Sequence, residues 1–186
     1  MTLRAQLETA RLRLRPVVAS DEAAVVTHLN DLAISGWLSL VPHPYTAADF
    51  QAFAADVAYP GETFLIEDAQ GFAGMIGAGF TLGYWLSPRA QGQGYATEAA
   101  CAVLAMQFAH DESTVASGYF VGNAASARVL AKLGFRELGR SLKPCRALRQ
   151  DRPHVDLLLT PADFESAIAR MPRIATLRPI VKPSLP

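Results

Sequence analysis

Two glycines, Gly92 and Gly94, stand between an apolar run and an alanine-rich one in Gly83 to Glu98, which reads GYWLSPRAQGQGYATE. Gly83-Tyr84-Trp85-Leu86 has the aromatic and apolar make-up of a buried strand, and Ser87-Pro88 stops it because proline cannot donate to a ladder. From Tyr95 onward Ala96, Ala99, Val103, Met106 and His110 recur at spacings of three and four, which predicts a helix. The first amides of a helix have no internal partner and carry the positive end of its dipole, so they can hold an anion. Glycine lets the backbone approach that anion with no side chain in the way, and the expected guest is a phosphate or pyrophosphate. A plain strand-to-helix turn uses glycine at the same spacing, so a second feature has to decide between the two readings.

That feature is Asn123-Ala124-Ala125-Ser126-Ala127-Arg128-Val129-Leu130-Ala131-Lys132-Leu133-Gly134-Phe135. Arg89-Ala90-Gln91-Gly92-Gln93-Gly94 resembles the Q/R-x-x-G-x-G/A signature of the GNAT superfamily of acetyl-CoA-dependent N-acetyltransferases. The later run resembles the N-x-x-S-x-x-v-l-x-K-x-G-F segment of its ribosomal-protein-acetylating branch. With GYWL before the glycines, ATEA after them and the late segment Pro153 to Thr160, the likeness covers most of residues 9 to 165.

The resemblance implies a single α+β domain: a mixed, mostly antiparallel seven-stranded sheet with helices on both faces and a V-shaped splay between the fourth and fifth strands. It implies acetyl-CoA as co-substrate, with the backbone of Trp85 and Leu86 meeting the pantetheine arm. Arg89 opens the phosphate motif, and the amides from Gln91 through Gly92, Gln93, Gly94 and Tyr95 to Ala96 meet the pyrophosphate. It also implies an amide near Leu86 that polarises the thioester carbonyl and Ser126 as the proton donor to the departing thiolate. Asn123 would hold the cofactor and cap its helix. Where another branch carries a donor tyrosine this chain has Leu130, and Leu82 stands where many relatives have an acidic or polar residue. Glu67 and Glu62 remain as candidate bases, beside deprotonation through water. The implied activity is transfer of acetyl from acetyl-CoA to a primary amine, by direct attack in a ternary complex. The amine belongs to a protein or peptide amino terminus or to a small molecule. The alternative is a non-catalytic acyl-CoA-binding or regulatory module of the same fold.

The elements that must position these residues follow from pattern. Arg11-Leu12-Arg13-Leu14-Arg15 alternates as a half-buried strand closed by Pro16. Ser20 is expected to cap a helix running to about Asn30, and Thr46 with Asp49 forms a capping box for a second that ends at Pro60-Gly61. Trp37, His43 and Tyr45 in the connector between them are implied by the resemblance to border the acceptor. Thr63 to Glu67 and Ala73 to Gly77 read as a hairpin leading to the strand at Leu82 to Ser87. Further strands are expected at Thr114 to Val121, Phe135 to Leu142 and His154 to Leu159. A helix lies between Asn123 and Gly134, and a short one starts at Thr160.

With 186 residues, half of them apolar, the chain suits one domain, 1–171, followed by an extended proline-containing tail, 172–186. Seventeen basic and seventeen acidic residues balance, so charge favours neither nucleic acid nor a membrane surface as partner. No run reaches the ~18 apolar residues of a membrane span and none resembles a signal peptide, so a cytoplasmic location is expected. Cys101 and Cys145 lie far apart with no CxxC, and the four histidines are scattered, so neither a disulfide nor a metal site is expected. The glycines lack the third member and the repeated βαβ setting of a dinucleotide fingerprint.

Overall fold

Alternating leucine and arginine near the amino terminus starts the sheet. The computed structural model describes residues 5–59, 61–111, 113–171 and 182–183. Strand β1 (Ala5–Glu8) and strand β2 (Arg13–Pro16) pair antiparallel with Leu7 opposite Leu14, both fully buried. The arginines take the outer face: Arg15 binds the buried Asp21 with both terminal nitrogens (2.9 and 2.7 Å) and Glu67 with Nε (2.8 Å). Asp21 also accepts the Val18 amide (2.8 Å), so it organises the entry to α1 (Glu22–Leu29). The helix therefore begins beyond Ser20, which sits in the preceding turn and caps nothing. A single turn, α2 (Leu32–Ser35), follows, capped by Asp31 through the Ala33 amide (2.8 Å). Helix α3 (Ala47–Asp56) starts on the expected Thr46/Asp49 capping box.

Strands β3 (Thr63–Asp68), β4 (Gly71–Gly77) and β5 (Gly83–Leu86) continue the meander. Helix α4 (Tyr95–Phe108) then crosses to β6 (Val115–Phe120), and α5 (Ala124–Lys132) leads to β7 (Arg136–Cys145) and β8 (Gln150–Leu159). Helix α6 (Pro161–Ile168) starts on Thr160, as its Thr-Pro-Ala-Asp suggests, and a two-residue β9 (Lys182–Pro183) pairs with β1. The seven expected strands are present, joined by β1 and β9. They form a six-stranded sheet, β5-β4-β3-β2-β1-β9, and a three-stranded one, β6-β8-β7. The β7–β8 hairpin runs beyond the expected bounds at Leu142 and His154, continuing through Pro144 and Pro153 although proline commonly ends a strand. Of the expected tail only β9 falls among the described residues.

Every residue of α4 from Tyr95 to Leu104 is buried. The helix runs through the centre of the molecule rather than along its surface, which alanine permits because small side chains let neighbours close in on every side. Its core partners include Phe64, Ile76, Leu130 and Leu159. A second apolar cluster, with Val25, Leu29, Tyr45 and Phe50, lies under α1 and α3. Among the described residues no helix is long and apolar enough to cross a membrane.

Candidate functional site

The two sheets meet at one point. Leu82 N–H donates to Ala116 O and Ala116 N–H to Phe80 O, both at 2.9 Å, and the Ser117 hydroxyl donates to Leu82 O. Beyond that bridge β5 and β6 share no pairing, and a cleft of about 420 Å³ opens between them. Ser87 N–H is used on β4, donating to Ala73 O at 2.8 Å. Strand alternation then turns the backbone groups of Trp85 to β4 as well, and those of Tyr84 and Leu86 into the cleft. Trp85 therefore lines the cleft with its indole, which tilts against Phe72 and His28, while Leu86 faces it with its amide. Burial pushes the His28 pKa down, and its ring stacks on Phe72 behind the cleft wall.

The glycine turn closes one side. Gly92 and Gly94 have φ of +74° and +81°, and Gly94 is the residue from which α4 departs. A Cβ on Gly92 would meet nothing within 4 Å, so the turn itself is open in front, and the first amides of α4 have no partner within their own helix. The turn is braced from the amino-terminal hairpin: Arg11 donates to Gln93 O (3.0 Å) and, through Nε and Nη2, to Glu98 (2.8 and 2.6 Å), with its guanidinium over the Tyr95 ring. Glu98 is 4% exposed and also accepts from the Thr9 hydroxyl and the Arg11 amide. Glu98→Ala should therefore lower stability by about 2–4 kcal/mol, since several donors lose a buried acceptor together. Chemical denaturation reads this directly, and a loss below 1 kcal/mol would mean that the brace is replaceable by water.

The facing wall is α5. Asn123 Oδ1 accepts the Ser126 amide (3.1 Å), capping the helix, and the Ser126 hydroxyl meets the Tyr84 hydroxyl at 2.9 Å across the cleft. Burial pushes the Tyr84 phenol up to about 12, with Ser126 pulling it back only in part. Arg128 and Lys132 line the same wall, and Trp37 and Leu38 with α2 form a third. At the rim the Arg152 guanidinium stacks on Trp37 (4.6 Å) and Phe120 (4.9 Å).

Of the residues singled out by sequence, Trp85, Leu86, Gln91, Gly92, Gly94, Tyr95, Ala96, Asn123 and Ser126 line one cleft. Three do not. Glu67 is held by Arg15 and Arg13 on the six-stranded sheet, because the β2–β3 register sets Arg13 directly opposite it. Arg89 turns away to bind Asp68 (2.8 Å) and the carbonyls of Gly71 and Phe72, holding Asp68 below the usual carboxylate range. Gln93 folds back on Arg89 O (2.7 Å). Gln91 does line the cleft, but its side chain donates to Leu86 O (3.1 Å). Glu62 lies beside Gly79, outside the lining. Trp37 lines the cleft, whereas Tyr45 is buried in the second apolar cluster and His43 is not in the lining. Sequence reasoning missed Tyr84, although alternation along GYWL places it on the same face as Leu86. Among the described residues the lining carries Arg128 and Lys132 but no carboxylate and no histidine, and no cluster of three or more potential metal ligands occurs.

A model of the acetyltransferase (GNAT) domain matches residues 11–136. The chain belongs to the GNAT acetyltransferase family. Among curated protein sequences nothing matches it. Solved structures give the same fold. RimJ of Mycobacterium smegmatis, in complex with CoA-disulfide, superposes with a TM-score of 0.73 at 21% identity over 90% of this chain and 95% of its own. Spermidine N-acetyltransferase of Vibrio cholerae, in complex with CoA and spermine, gives 0.70 at 16% over 84% and 99%. The ribosomal-protein-S5-alanine acetyltransferase of Vibrio fischeri gives 0.67 at 19% over 86% and 98%. This GNAT chain is accordingly an acyltransferase enzyme of the mixed α+β fold expected.

Proposed function

We propose that the protein transfers acetyl from acetyl-CoA to a primary amine. The observation that carries this reading is the paired left-handed glycine turn at the start of α4, open in front, beside an unpaired strand edge. Amides from Gly92 to Ala96 receive the pyrophosphate, Arg128 and Lys132 neutralise phosphate charge, and the Leu86 N–H sits on the edge that a pantetheine amide or thioester carbonyl would meet. Trp37, Leu38 and the Trp85 indole border the acceptor.

The charge of the lining narrows the acceptor. A polyamine or aminoglycoside brings several positive charges, which cost desolvation unless carboxylates meet them. The lining supplies none among the described residues, and Arg152 adds a cation at the rim. The fitting acceptors are amines on neutral or anionic molecules, peptide amino termini of that kind included. Calorimetry with acetyl-CoA followed by thiol release against a graded amine panel tests both statements. Binding together with turnover on neutral or acidic peptides, and at least tenfold lower kcat/KM on spermine, is the expected result. Preference for spermine would overturn the acceptor class, and binding without turnover on any amine would favour the non-catalytic module.

The cysteines take no part. Burial pushes the Cys101 thiol up to about 12, and Cys145 is buried against Gly36 O and Leu38 O. Iodoacetamide at pH 8 should leave both unmodified in the native protein and label both in urea, as mass spectrometry will read.

A further inference from the structure

We propose that Tyr84 and Ser126 form a two-hydroxyl relay that carries the proton released by the attacking amine to the departing thiolate, so that transfer needs no carboxylate base. The inference rests on the acetyl-transfer reading. The two groups come from opposite sides of the splay, one from β5 and one from the first turn of α5, and touch at 2.9 Å where both line the cleft. Either oxygen can be the donor, so the pair can pass a proton in either direction. Asn123 accepts the Ser126 amide and so fixes the backbone from which that hydroxyl projects. No carboxylate or imidazole lines the cleft among the described residues; of the two carboxylates expected as base, Glu67 is bound to two arginines elsewhere and Glu62 lies beside Gly79, outside the lining. Leu130, where a hydroxyl stands in another branch, is wholly buried in the core.

The step balances without a further reactant. The neutral amine attacks the thioester carbon, the C–N bond forms and its nitrogen becomes positively charged. As the C–S bond breaks, one hydroxyl oxygen takes the nitrogen's proton while the other hydroxyl gives its own to sulfur. The proton shared between the two oxygens shifts along, so each ends the cycle with one proton, and amide and free thiol leave. A phenol raised to about 12 stays protonated across the working range, so the relay does not titrate away. The kcat/KM profile should therefore rise with pH along the acceptor amine's own ionisation and show no separate acidic limb from the enzyme.

The test compares the wild type with Tyr84→Phe, Ser126→Ala and the double variant on the best acceptor. It uses acetyl-CoA and, in parallel, an acetyl thioester of a more acidic thiol. Each single variant should lose roughly ten- to a thousandfold in kcat with acetyl-CoA affinity by calorimetry within about twofold, and the double should be no slower than the worse single. With the acidic thiol, which departs without a proton, the defect should shrink by at least tenfold. A merely structural role for Tyr84 would move melting temperature or affinity and leave this leaving-group dependence untouched. Near-normal kcat in Tyr84→Phe, or additive losses in the double variant, overturns the relay while the acetyl-transfer reading stands. A wild type that binds acetyl-CoA yet acetylates nothing sinks both. Tyr84→Phe keeps the ring that packs on the core, and circular dichroism checks its fold.

Discussion

Gly92→Asp should weaken acetyl-CoA binding by at least tenfold, and by much more than Gly92→Asn does. A side chain here enters open space at the turn that leads into α4, so on the proposed reading a carboxylate would stand close to the pyrophosphate and repel it. Both substitutions carry the strain of φ +74°, on the order of 1–3 kcal/mol, which asparagine tolerates better than most residues. The difference between the two variants isolates charge from strain. Gly94 is the poorer probe, because a Cβ there lies 3.6 Å from Arg11 Nη2 and an aspartate would find a cation. Calorimetry on folded protein decides, and equal affinities for Asn and Asp would remove the phosphate-cradle reading.

Leu130→Ala should lower stability by about 2–5 kcal/mol, among the largest effects of any single truncation in the chain. The side chain is 0% exposed and packs where α5 meets α4 and the sheets, so its removal leaves a cavity that three rigid elements cannot close. For a chain of this size the melting temperature should fall by roughly 5–15 °C. A cost below 1 kcal/mol would show that α5 can settle into the space. Leu130→Tyr should also destabilise, by about 1–3 kcal/mol, without supplying a proton donor, since a hydroxyl there would enter the core and not the cleft.

The parts of the site that were legible in the sequence are those set by local chemistry. The Gly-x-Gly turn, the Thr46 and Thr160 caps and the Asn123 cap over Ser126 each follow from residues within a few positions of one another. What the sequence hid depends on register and on distant partners. Glu67 looks free until β2 sets Arg13 opposite it and brings Arg15 within reach, and Arg89 looks like a phosphate ligand until the β3–β4 turn presents Asp68. The inward stripe of α4 was readable, but not that its other faces are covered too, because alanine is at home on either side of a surface. The short β1 has one strongly apolar residue facing the core, Leu7, too little for a pattern. The Tyr84–Ser126 contact joins residues 42 apart, and only the crossover through α4 brings them together.

The single bridge between β5 and β6 has a thermodynamic consequence. Where two neighbouring strands usually stitch themselves together, this molecule leaves a seam, and an elongated guest rich in amide groups is the natural thread for it. Occupancy should therefore tie the two sheets into one cooperative unit, adding about 2.7 kcal/mol when the guest stands at a hundredfold its dissociation constant. The loss of protection when that guest is withdrawn should concentrate in amide hydrogens along β5, β6 and the start of α5, leaving the β2–β3–β4 meander as slow to exchange as before. On the proposed reading the unliganded protein is in this sense a sheet short of one strand, which the bound guest would supply.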